Sequence, residues 1–100
     1  MNQFFEELGK RWVAAAHRRE AAIEAPSLDP RVAQELLELA RVAAHTRERR
    51  FAPLSCFMAG VASERLRMAR PDLDQGAMAG YINEIRLELE AETPDVPNER

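Results

Sequence analysis

Cysteine is almost absent: Cys56 stands alone, so no disulfide can close within the chain and a cysteine-based zinc site has too few ligands. No apolar run approaches the roughly 18 residues that a membrane span needs. An excess of basic charge is missing too. Fourteen lysines and arginines face 17 acids, a net charge of −3. The isoelectric point near 5.4 argues against a dedicated nucleic-acid binder, whose usual footprint is a basic domain. The opening Met1-Asn2-Gln3-Phe4-Phe5-Glu6-Glu7 has acids where a signal peptide carries a basic region, so a cytoplasmic location is expected. No Glu-x-x-His repeat occurs, which counts against a di-iron carboxylate bundle. Internal repeats and low-complexity runs are missing as well.

What is there is the composition of a globular protein, 46% hydrophobic and 31% charged over 100 residues, enough for one domain with one modest core. The charge is unevenly spread. Residues 1–70 hold 12 of the basic groups and 9 of the acids, a net of +3, whereas residues 71–100 hold 2 and 8, a net of −6. The two parts should attract. Residues 41–70 are the most basic, with seven arginines against Glu48 and Glu64.

The apolar spacing predicts four helices, over residues 3–24, 30–47, 54–70 and 73–92, with a polar tail at 93–100. In the first, Phe5, Leu8, Trp12, Ala15, Ala16 and Ile23 recur at helical intervals on one side. Phe4, Phe5 and Trp12 accordingly read as core. Asp29 followed by Pro30 marks the second helix, a cap residue before the proline-favoured first helical position. Its apolar set, with Leu36, Leu37, Leu39, Val42 and Ala43, is broad enough for a central element. Pro53 biases Ala52 away from helical backbone, which places the third start at Leu54, and Phe57, Met58, Val61, Ala62, Leu66 and Ala69 continue it. Asp72 with Gln75 three residues on resembles a capping box for the fourth. Pro94 and Pro97 leave the last residues without helical period. The expected fold is an all-α, four-helix bundle-like single domain with a short disordered or extended C-terminal tail. Gly60, Gly76 and Gly80 each cost their helix about 1 kcal/mol relative to alanine. Close approach of two backbones is one compensation; a ligand or partner helix on that surface is the other.

Candidate chemistry gathers around the second turn. Arg41, His45 and Arg49 share a helical face if the helix runs that far, Arg50 follows, and the next helix begins near Leu54, Ser55 and Cys56 with N–H groups that lack partners in the helix. Arginine forks and such N–H groups suit a phosphate or carboxylate. The competing reading is that these cations only satisfy the last carbonyls of the second helix and pair with acids such as Glu48 or the tail. His45 and Cys56 as a nucleophile pair, or with His17 as metal ligands, find little support. Cys56 precedes Phe57 on an apolar stretch and reads as a small core residue, and His17 stands before Arg18 and Arg19, which repel a cation. No catalytic residue, metal or cofactor is expected. Glu84, Glu88 and Glu92 form an acidic face on the fourth helix.

The run Glu35-Leu36-Leu37-Glu38-Leu39-Ala40-Arg41-Val42-Ala43-Ala44-His45, then Arg47-Glu48-Arg49-Arg50-Phe51-Ala52-Pro53-Leu54 and Phe57-Met58-Ala59-Gly60, resembles a family of small bacterial helical domains of unknown function. That family shows a recurring L-x-L-A-R-x-x-A-H, E-R-x-x-A-P-L, F-x-x-G pattern, alone or joined to enzymes resembling the guanylyltransferase of molybdopterin-guanine dinucleotide biosynthesis. The resemblance covers Leu36 to Gly60 and marks His45, Glu48, Arg49, Pro53 and Leu54. The first 25 residues run longer than the family's usual start, and the fourth helix carries no motif of it. The resemblance implies a setting in molybdenum-cofactor maturation and no mechanism. Two functions are therefore expected to compete: an accessory module that binds a protein partner or a second copy, and a binder of a phosphorylated small molecule, such as a pterin dinucleotide, at Arg41, His45, Arg49, Arg50 and Ser55. An enzyme using His45 is the weakest reading. A bundle this small should offer little concave volume against the roughly 300 Å³ usual for a ligand, which favours the module.

Overall fold

A computed structural model describes residues 2–92. It contains α1 (Gln3–His17), α2 (Pro30–Thr46), α3 (Phe51–Ala69) and α4 (Gln75–Ala91), and no strand among the described residues. The fold class is all-α, as the periodicity requires. The expected tail at 93–100 lies outside the described residues. The chain divides near Pro30 into two compact units.

In the first unit, α1 starts where Asn2 accepts a hydrogen bond from the Phe5 N–H, a side-chain cap. It ends seven residues before the expected 24. Glu20 takes a left-handed φ of 62°, its N–H donates to the His17 carbonyl, and the Ala21 N–H reaches back to the Ala16 carbonyl at 3.0 Å. This is the Schellman closure, which normally places glycine at the left-handed residue. The chain then returns without regular structure past α1. A Cβ on Gly9 would meet the Pro26 carbonyl oxygen at 2.7 Å, so only glycine admits this crossing. Phe5, Leu8 and Trp12 line a shallow hollow of about 150 Å³ with Pro26 and Leu28. Trp12 is 58% exposed and Phe4 more so, which corrects the expectation that these aromatics are core.

In the second unit, α2 begins at Pro30 as predicted. Leu39, Val42 and Ala43 of α2 and Met78 and Ile82 of α4 are the buried hydrophobic residues, each large one contributing about 1.5–3 kcal/mol. Beside this seam the helices are strapped by polar contacts. Asn83 donates to Glu35 at 3.2 Å, Arg86 approaches the same carboxylate at 3.9 Å, Arg41 reaches Glu90 at 3.3 Å, and Arg47 reaches Glu92 at 3.2 Å. Partner numbers rise together along both helices, so α2 and α4 run parallel. Of the apolar set expected to make α2 central, Leu39, Val42 and Ala43 are buried in this seam, while Leu37 is 66% exposed.

The short connection at residues 47–50 leads the chain into α3, and the Cys56 thiol donates to the Leu36 carbonyl, which holds α3 against α2. α3 starts at Phe51 rather than Leu54. Pro53 sits in the first helical turn, where a missing N–H costs nothing, and this outweighs its bias on Ala52. α4 starts at Gln75, not 73. Asp74 is its cap, accepting from the Ala77 N–H at 2.9 Å, while Asp72 makes a two-pronged pair with Arg70. A Cβ on Gly60 or Gly80 would meet nothing within 4 Å, and one on Gly76 would meet only side-chain atoms of Arg31 and Asp74. No backbone crossing explains these glycines.

Candidate functional site

Two of the arginines marked by sequence are engaged by different carboxylates. Arg41 is held by Glu38 at 2.9 Å and by Glu90, and these carboxylates, Glu38 foremost, raise its pKa. Arg50 pairs with Glu48 at 2.8 Å, and Arg47 donates to the Thr46 carbonyl at the end of α2 as well as to Glu92. His45 and Arg49 are exposed and make no ion pair among the described residues. The helix start is engaged too. The Phe51 and Ala52 N–H groups donate to the carbonyls of Glu48 and Arg49, Pro53 has no N–H, and Leu54, Ser55 and Cys56 fall inside α3 because it begins three residues early. Arg47 and Arg50 thus have the carbonyl and acid partners of the competing reading, while Arg49 and His45 have neither among the described residues.

Cys56 is half-buried, and burial pushes its thiol pKa up, the opposite of what a nucleophile needs. No group of three metal-ligating side chains occurs among the described residues. Arg86 was not singled out by sequence. Its side chain is mostly buried, pairing with Glu90 at 2.9 Å and approaching Glu35, and its Nε is buried without a hydrogen-bond partner among the described residues. It ties α4 to α2. Arg86 first, and Arg41 second, hold the Glu90 carboxyl below the usual glutamate range.

The unusual feature of the second unit is α3. Its half-buried positions are mostly small: Ala52, Ser55, Cys56, Ala59, Ala62 and Ser63. Phe51, Val61 and Leu66 are half-buried as well, but four other large apolar residues point outward. Phe57 is 72% and Met58 71% exposed, with Leu54 and Met68 similarly open. Leu54, Met58, Val61, Arg65 and Met68 follow at intervals of four, three, four and three, one stripe along the helix. Sequence groups Leu54, Phe57 and Met58 with Ala62 and Leu66 in one apolar set at helical spacing, because hydropathy does not distinguish a small apolar face from a large one.

Beside this stripe run two open hollows. One, of about 380 Å³, lies between Ser55, Met58 and Ala62 of α3 and Tyr81, Ile85 and Leu89 of α4, with Leu39 and Ile82 in its floor. The other, of about 490 Å³, is bounded by Phe57, Met58, Val61, Arg65 and Tyr81. They share Met58, Ala62 and Tyr81, and so form one apolar trough. This corrects the expectation of little concave volume. Few polar groups line the trough, Ser55, Tyr81 and Arg65 among them, and it lies open. Exposed acids Glu84 and Glu88 flank the α4 side.

No helix among the described residues is long and apolar enough to cross a membrane. No curated protein and no solved structure matches the chain. A family model described as a domain of unknown function, DUF6457, matches residues 6–95. That match extends well beyond the motif stretch of Leu36 to Gly60 and takes in most of α1 and all of α4. With nine-tenths of its length so matched, the chain belongs to the DUF6457 family of domains of unknown function.

Proposed function

We propose that the chain is a non-catalytic protein-interaction module that works through the α3–α4 face. The observation that carries this reading is the inversion of α3, whose small residues face inward while Phe57 and Met58 stand more than two-thirds exposed. Large apolar patches on a soluble surface mark interaction sites, and aromatic and methionine side chains are enriched where partners meet. The motif resemblance supports a setting in molybdenum-cofactor maturation, with the chain acting as an accessory to a guanylyltransferase of that pathway. A phosphate-bearing ligand is less well supported. Arg41 and Arg50 are already paired with carboxylates, and the first donors of α3 are spent on backbone carbonyls.

Native mass spectrometry of the full chain, alone and mixed with the molybdopterin-guanine dinucleotide guanylyltransferase of the same host, tests the reading. The expected result is a protein complex, with itself or with the enzyme, that the double variant Phe57→Lys, Met58→Lys no longer forms. A monomer in both samples overturns it, and a copurifying phosphorylated molecule released by Arg49→Ala, Arg50→Ala overturns it in favour of the ligand.

A further inference from the structure

We infer that the occupant of the α3–α4 face is a second copy of this chain, joined about a two-fold axis so that the Phe57–Met58 ridge of each copy enters the trough of the other. The inference rests on the interaction-module reading and names its partner.

Three observations on one face support it. The first is shape. A two-fold contact requires a surface that is complementary to itself, and here a ridge of large side chains on α3 lies directly beside a trough bounded by Tyr81 and Ile85 of α4. The second is extent. Leu54, Phe57, Met58, Met68 and Ile85 are all exposed. With each offering on the order of 100 Å² and the polar rim adding to it, the face approaches the roughly 800 Å² per partner of a stable interface. The third is charge. The α3 edge carries Arg65 and the α4 edge carries Glu84 and Glu88. Setting α3 of one copy against α4 of the other places arginine beside glutamate twice. Gly80, one turn before Glu84 on α4, has open space above it. Approach of a second backbone there supplies the compensation that the single chain lacks.

Sedimentation equilibrium of the full chain tests this, with the species expected at twice the 11.3 kDa chain mass. The variant Phe57→Lys, Met58→Lys should keep its helical circular dichroism, because both side chains are already exposed, and should raise the dimer dissociation constant on the order of a hundredfold. Arg65→Glu should weaken the dimer by about tenfold, and Glu88→Arg in the same chain should recover part of that loss. A wild-type chain that stays monomeric at several hundred micromolar overturns the inference. So does a dimer that survives Phe57→Lys, Met58→Lys but is lost on Phe5→Ser, Trp12→Ser, since the contact then lies on α1. If the chain is monomeric yet binds the guanylyltransferase in a manner that Phe57→Lys, Met58→Lys abolishes, the dimer falls and the module reading stands.

Discussion

The seam between α2 and α4 and the outer side of α3 are built from the same kinds of apolar residue and end in opposite environments. At the seam, Val42 and Met78 are 2% exposed and polar pairs from Glu35 to Glu92 close its flank. On α3, Phe57 and Met58 face solvent beside an open trough. The difference lies in side-chain size. α3 approaches the rest of its unit mostly with alanine, serine and cysteine, with Phe51, Val61 and Leu66 half-buried beside them, and Leu54, Phe57, Met58 and Met68 stay outside. The seam holds the unit together; the outer side stays open to solvent.

The largest expected effect separates the two regions directly. Ile82→Ala or Met78→Ala should cost about 2–5 kcal/mol by urea unfolding, while Phe57→Ala or Met58→Ala in dilute, monomeric protein should cost less than about 0.5 kcal/mol. Equal losses at both places would erase the distinction. Next comes the strap. Arg86→Ala should cost about 1–3 kcal/mol, because Glu35 and Glu90 lose a mostly buried partner, and a change within about 0.5 kcal/mol would reduce the polar flank to decoration.

Glycine substitutions sharpen the comparison. Gly80→Ala should stabilise the dilute protein by about 0.5–1 kcal/mol, since its Cβ meets nothing, and should weaken self-association if a second backbone approaches there. Glu20→Gly should stabilise the end of α1 by about 1 kcal/mol through relief of its left-handed backbone, measured by hydrogen exchange of Ala16 to Ala21. The smallest effect is that of pH. Glu90 and Asp72, held below their ordinary ranges chiefly by Arg86 and Arg70 respectively, contribute stability that is present above those ranges. It declines as pH falls through their lowered folded values. Both carboxylates are exposed, so the decline should be shallow, and Glu90→Gln should flatten it further.

The start of α2 was legible because Asp29-Pro30 is a local signal that needs no tertiary context. The end of α1 was not. The left-handed position that glycine would have announced is held by Glu20, and Ala21, Ala22 and Ile23 prolong the apolar pattern past it. The start of α3 was misplaced because Pro53 carries two meanings, a bar to helix before it and a good first-turn residue within it. For α4, the spacing of Asp72 and Gln75 suggests a cap, but Asp74 accepts from the Ala77 N–H while Asp72 pairs with Arg70. The arginine-rich turn could be located from sequence, yet which carboxylates engage it depends on the parallel placement of α4. The apolar α3–α4 face was hidden because periodicity reports a hydrophobic side of a helix without saying whether anything in the chain covers it.

Methionine oxidation reads both regions in one experiment. With the full chain treated by dilute peroxide over a range of protein concentrations, Met78 in the seam should stay unreactive throughout. Met58 on the outer side of α3 should react quickly in dilute solution and become protected as concentration rises through self-association. Met58 reacting equally fast at every concentration, or Met78 reacting as fast as Met58, would contradict the account.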